Sequence, residues 1–244
     1  MGLLEDLIDS ARDHDEKISN IIMSPHWTLV TSGAPGLAST LGCQPESGAA
    51  LKETILRSRT PALLDLAFSD DLAEASVGIA TLNSILSRYM EPGKARRGML
   101  PRARGKKVAV VGDFPFIDRL KELADDVWTI SSGMGKGDYA AEEAQNVLHV
   151  ADISIIAGAA VVDHSLERYL KWAEPSHTIV FGPTTPLSPV LFDYGADQIG
   201  GIKIINEDRV ATVVATGARD ISDSTGIAPI MLDAPRGEGP RRQA

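Results

Sequence analysis

The chain has 244 residues with 33 acidic and 24 basic side chains, a formal net charge of −9. That balance argues against general affinity for nucleic acid, which rests on neutralising phosphates, and aromatic residues at 5% leave few platforms for stacking single strands. One cysteine, Cys43, excludes a disulfide framework or a multi-cysteine metal site within one chain, and no apolar run reaches the ~20 residues of a membrane span.

The first twenty residues read as a helix, with Leu3, Leu4, Leu7, Ile8 and Ala11 at helical spacing and acids early in the segment. Those acids stand where a signal peptide would carry a basic segment, so a cytoplasmic protein is expected. His26–Thr31 is strand-like and breaks at the turn-rich Ser32-Gly33-Ala34-Pro35-Gly36, after which Leu37–Leu41 reads as a short extended piece. Helices are expected at Ser47–Arg57, at Ala62–Phe68 behind Pro61, and at Asp71–Tyr89. In the last of these, Ala75-Ser76-Val77-Gly78-Ile79-Ala80 would let another backbone come close. Residues 1–92 are therefore expected to form an α+β domain, and 93–105 a linker marked by proline, glycine and basic residues. From Lys94 to Lys107 there are seven basic residues and no acid, which is either a solvated connector or an anion-guiding lip.

Beyond the linker the rhythm changes. Lys107–Val111 is a continuous apolar run of the kind a strand buried on both faces shows. Strands at Val127–Ile130, Asp152–Ala157 and Thr178–Phe181 alternate with helices at Phe116–Ala124, Ala140–His149, Ser165–Ala173 and Pro189–Tyr194. Gln198–Ile205 and Arg209–Thr216 read as two closing strands. This alternation predicts an α/β domain over 106–233 with a parallel sheet, followed by a loose tail at 234–244.

Ligands of open α/β sheets bind beyond the carboxyl ends of the strands, which selects four loops. Gly112-Asp113-Phe114-Pro115 lacks the glycine fingerprint of a dinucleotide site, so ordinary NAD binding is not expected. Residues 131–137 fail as a phosphate loop, because Gly137 stands where a hydroxyl should hold magnesium, and remain a flexible loop or an anion nest. The loop Gly158–His164 brings Asp163 beside His164, an acid–base pair or two metal ligands; alternatively Asp163 caps the following helix. Gly182-Pro183-Thr184-Thr185-Pro186 is either a rigid turn or an anion-receiving helix entry. The other histidines, His14, His26, His149 and His177, show no i, i+4 metal pairing.

Five segments together carry a family likeness: Trp27–Ala38 (WTLVTSGAPGLA), Ala75–Leu86 (ASVGIATLNSIL), Val110–Phe116 (VVGDFPF), Ala151–Leu166 (ADISIIAGAAVVDHSL) and Phe181–Gly201 (FGPTTPLSPVLFDYGADQIGG). In this order they resemble the two-domain heavy-metal chelation family, formerly a domain of unknown function. The resemblance implies an enolase-N-terminal-like α+β domain, a Rossmann-like second domain and a ligand site in the cleft between them. Carried over position by position, it implies ligand contacts at Gly33, Gly36, Asn83, Gly112, Pro115, Gly158, Gly182, Pro183, Thr184 and Pro186; Thr185, whose hydroxyl and N–H stand beside Thr184, is a further candidate contact. The family's usual Gly-His-Phe-Pro loop here carries Asp113 for the histidine. Near the third strand Ala160 removes a hydroxyl, Asp163 stands for asparagine and Ser165 for threonine.

The expected function is binding of a metal ion or metal complex, a divalent or heavy metal of unassigned identity, in that cleft. The alternative is an enzyme acting on a small anionic metabolite there, with Asp163 or Asp113 as acid or base and His164 as partner. A nucleotide or adenosyl cofactor is a third reading that the Rossmann-like half alone suggests. The expected partner is a small molecule or metal ligand, with no nucleic acid and no membrane. A homodimer is among the expected assemblies, since cytoplasmic α/β proteins often pair.

Overall fold

A computed structural model describes residues 2–42, 53–90, 100–130, 138–221 and 226–235. The expected linker start at 93–99, the loop 131–137, Cys43, most of the helix expected at 47–57 and the tail from 236 lie outside the described residues.

Two sheets organise the described residues. The smaller has β1 (Asn20–Met23), β2 (Trp27–Thr31) and β3 (Pro35–Ser39) in antiparallel order β1-β2-β3. Helix α1 (Leu3–Asp9) precedes it, and α2 (Thr60–Leu64) and α3 (Leu72–Leu86) follow it. Pro61 sits in the first turn of α2, where its missing N–H costs nothing. Asp71 caps α3 by accepting from the Ala73 N–H at 2.8 Å. From Ala75 to Ile85 every residue of α3 is buried, because the small sheet lies on one side and the chain around Ala67 on the other. Gly78 is required there: a Cβ would lie closer than 3.0 Å to the Ala67 backbone.

The larger sheet has six strands in the order β5-β4-β6-β7-β8-β9. They are β4 (Lys107–Val111), β5 (Asp126–Ile130), β6 (Ile153–Ala157), β7 (His177–Phe181), β8 (Gln198–Ile204) and β9 (Ile227–Asp233). The first five are parallel and β9 returns antiparallel to β8. The helices between them are α4 (Ile117–Lys121), α5 (Ala144–Val150), α6 (Leu166–Trp172), α7 (Val190–Asp193) and α8 (Glu207–Ala215). Sequence order reverses between β4 and β6, which makes the carboxyl ends of these two strands the topological switch point.

Three expectations are corrected. The segment expected as strand Arg209–Thr216 is helix α8: Asn206 accepts from the Arg209 N–H, Glu207 and Asp208 occupy the first turn, and Val210 and Val214 bury one face. The opening helix stops at Asp9 rather than running through twenty residues. Strands β1 and β9 were not expected at all; the first supplies the third member of the small sheet and the second closes the large one.

The two sheets share their hydrophobic core. Leu29 and Leu37 on one face of the small sheet pack with Val210 and Val214 of α8 and Ile204 of β8. Val30 and Ala38 point the other way, into a cluster that also holds Leu3, Leu7, Val111, Val161 and Leu191. Polar contacts bind α1 to the larger unit: the Leu3 N–H donates to Glu167 Oε2 at 2.8 Å and the Tyr194 hydroxyl to Asp6 Oδ2 at 2.6 Å.

Candidate functional site

The loops leaving β4, β6 and β7 stand side by side, since these strands are adjacent in the sheet. Gly112 leaves β4 with φ 108°, a conformation L side chains rarely adopt, and a Cβ there would collide with Ala157 of β6. Gly158 follows β6, where a Cβ would strike the backbone and hydroxyl of Thr185. Gly182 turns the chain off β7 at φ 130°. Phe114, Phe116 and Phe181, each half-buried, form a ring cluster beside these glycines with centroids 5.0–5.9 Å apart.

The small sheet reaches this edge through Thr184. The Ser39 N–H donates to Thr184 Oγ1 at 2.9 Å, and the two hydroxyls also pair at 2.9 Å. Asn83 of α3 forms the second bracket, its Nδ2 donating to Leu37 O at 2.8 Å and to Thr184 O at 3.0 Å. Two carbonyls fix which way that amide points, because only its NH₂ end can face acceptors. Its Oδ1, like Thr185 Oγ1, is buried with no partner among the described residues. Asn83, Gly158, Thr184 and Thr185 are thus brought together at the junction of the two units.

Gly36 and Gly33 serve packing around α3. A Cβ on Gly36 would lie closer than 3.0 Å to Ser84 N and Ala80 O, so β3 runs against the helix backbone. Gly33, at φ 77°, leaves room for the Arg88 guanidinium, which pairs with Glu16. Pro115 and Pro183 stiffen their loops, Pro115 exposed and Pro183 half-buried.

The three residues expected to do acid–base work sit in three separate networks. Asp163 is exposed and accepts from the Ser165 N–H at 3.1 Å and from the Ser165 hydroxyl, a turn just ahead of α6; the N-cap of that helix is Ser165, so Asp163 is not the cap expected as its alternative role. His164 holds φ 60° and its Nε2 donates to Ala67 O at 2.8 Å, fastening the loop to the chain between α2 and α3. Asp113 pairs with Arg219 at 3.2 Å. Sequence reasoning did not find Arg219, which lies 106 positions away in no recognisable motif.

His177 lies at the opposite, amino end of β7. Arg102 Nη1 donates to its Nε2 at 2.9 Å, so that nitrogen carries a lone pair and the imidazole is neutral. Desolvation holds its pKa below the usual value, with Arg102 adding to the effect, against the opposing charges of Asp197 and Asp233. The folded chain therefore takes up this proton less readily than the unfolded chain. Stability is full above the unfolded histidine value near ~6.5 and is lost as pH falls toward the lower folded value. Chemical denaturation between pH 7.5 and 5.5 is expected to show that loss, with His177→Gln flattening part of the slope. An identical slope in the variant would remove His177 as its source.

Among the described residues no group of three or more His, Cys, Asp or Glu is disposed to hold a metal ion. No helix among them is long and apolar enough to cross a membrane.

Residues 97–227, more than half of the chain, match the family model DUF364, described as "Putative heavy-metal chelation", and residues 4–86 match a second model, DUF4213, of the same description. The chain belongs to this family. The uncharacterized protein MJ0500 of Methanocaldococcus jannaschii is 26% identical over 82% of this chain and 83% of its own length. A DUF364 protein of unknown function from Desulfitobacterium hafniense superposes with a TM-score of 0.82 at 22% identity, covering 95% of this chain and 96% of that one. One from Pyrococcus horikoshii gives 0.78 at 21%, covering 95% and 99%. These solved structures share the fold: a small antiparallel sheet unit followed by a six-stranded, mostly parallel sheet.

Proposed function

We propose that the protein binds a metal ion or small metal complex where the loops after β4, β6 and β7 meet the small sheet. The observation that carries this reading is the match of both halves of the chain to models of one family described by heavy-metal chelation. The Asn83–Thr184–Ser39 junction supports it, because it ties β3 and α3 of the small unit to the loop after β7, at one edge of the large sheet. That edge includes the switch point between β4 and β6, the usual ligand crevice of open α/β sheets. The acid–base alternative gains no support from the geometry, since Asp113, Asp163 and His164 are each engaged elsewhere.

Equilibrium dialysis of chelator-stripped protein tests the reading. Cobalt, nickel and zinc are offered as chlorides and as citrate complexes, and the retained metal is counted by mass spectrometry. About one metal per chain is expected for at least one form, with a rise in thermal midpoint. At a hundredfold excess over Kd a bound ligand adds about 2.7 kcal/mol, which for a chain of this size is roughly 5–10 °C. No retention and no shift in any form would end the proposal.

A further inference from the structure

The described residues do not fit a bare metal ion: they offer no cluster of three ligating side chains, and the carboxylate nearest the switch point, Asp113, is already paired with a guanidinium. A metal docking here must bring most of its own ligands. Resting on the proposed site, we infer that the metal arrives inside an anionic carboxylate chelate, and that Arg219 is the residue that recognises the chelate's free carboxylate, with Asp113 as its resting counter-ion.

Helix α8 ends at Ala215, and Gly217, at φ 73°, turns the chain back toward the small sheet. There the Trp27 indole N–H donates to Arg219 O at 3.0 Å. The backbone of Arg219 is thus fixed to the small unit, while its guanidinium reaches Asp113 at the tip of β4 in the large one. The pair thus joins a residue tethered to the small unit with the loop at the carboxyl end of β4.

Charge gives the second step. In the described loops at this edge, 112–116, 158–165, 182–189, 205–206 and 216–221, Arg219 is the one lysine or arginine. A chain of net charge −9 does not attract anions at long range, so an anionic ligand needs a local cation to dock. Arginine presents a planar fork that matches a carboxylate with two parallel hydrogen bonds. Its present partner is labile: the two side chains are 77% and 70% exposed, so water competes for both and the pair is easily exchanged. Phe114, which follows Asp113, and its neighbours Phe116 and Phe181 give the carbon skeleton of an organic chelate an apolar surface.

Dialysis with cobalt(II) chloride, citrate, and the one-to-one cobalt(II)–citrate complex tests this, with cobalt and radiolabelled citrate counted separately. Cobalt and citrate retained together in equal amounts are the expected result. Arg219→Ala should weaken retention at least tenfold without moving the thermal midpoint, and Arg219→Lys should recover part of it. Asp113→Asn should tighten retention severalfold, since it frees the guanidinium, and raising salt should weaken the wild type. Cobalt retained without citrate, or citrate without cobalt, overturns the inference, and the former leaves the metal-binding reading standing. Retention of neither overturns the inference, and the metal-binding reading falls with it only when nickel and zinc are not retained either. Unchanged retention in Arg219→Ala, or weaker retention in Asp113→Asn, assigns recognition to other groups and overturns the inference alone.

Discussion

Replacing Gly36 with alanine is expected to lower stability by about 2–3 kcal/mol, the upper range for forcing volume into a filled interior. In a chain of this length that is a fall of roughly 5–10 °C in thermal midpoint. The new methyl group would enter the space held by Ser84 N and Ala80 O, which are backbone atoms of α3 and cannot rotate aside. Either β3 or α3 must move, and α3 carries Asn83. Gly105→Ala is the control. Its Cβ meets nothing closer than 4.0 Å, so only the left-handed backbone, φ 66°, penalises it, by about 1 kcal/mol. Scanning calorimetry of the two variants separates crowding from backbone strain. Equal midpoints would mean that the approach of β3 to α3 is looser than described.

Asn83 gives the second large effect. Asn83→Ala leaves Leu37 O and Thr184 O without their side-chain donor in a place water does not reach, a loss of about 2–3 kcal/mol. Asn83→Asp removes the same donors and adds a charge facing two carbonyl dipoles. Burial and those dipoles hold the introduced carboxyl above the usual carboxylate range. Its penalty is therefore full at neutral pH and lifts as pH falls through the raised folded value toward the unfolded value near ~3.9. Urea denaturation at pH 7.5 and 5 should show the carboxylate variant recovering relative to Asn83→Ala. A constant difference between the two variants would place a solvated carboxylate at this position and dissolve the bracket.

The parallel strands were legible because burial on both faces leaves its mark directly in residue type. Lys107–Val111, Ile153–Ala157 and His177–Phe181 each contain an uninterrupted apolar or β-branched run, and each is a strand within a residue of its expected bounds. The same rule misled at 209–216. Val210, Val213 and Val214 suggest a strand, while the helix signal lies upstream in Asn206-Glu207-Asp208, a cap followed by acids. Tertiary packing of Val210 and Val214 against Leu29 and Leu37 then outweighs β-propensity. Strand β1 is four residues long and only Ile21 of it is fully buried, too little for a periodicity to register.

At the site, Asn83 came only from likeness to a family, while Thr184 also stood out in the loop after β7, and the two proved to touch. Composition alone gave no reason to join a residue in α3 to one 101 positions later. Asp163 and His164 are adjacent in sequence, yet one turns to Ser165 and the other to Ala67, because the positive φ at His164 sends the chain in a new direction between them. The Asp113–Arg219 pair depends on where α8 ends, and α8 was itself read as a strand.

The last strand of the large sheet carries an exposed proline, Pro229, opposite Ile202. A proline has no amide hydrogen, so the rim of β9 presents a broken row of donors to anything approaching from outside. Copies of the chain meeting rim to rim cannot zip into one continuous ladder past that point. The backbone itself thus guards against fibre-like stacking, at the strand that closes the fold.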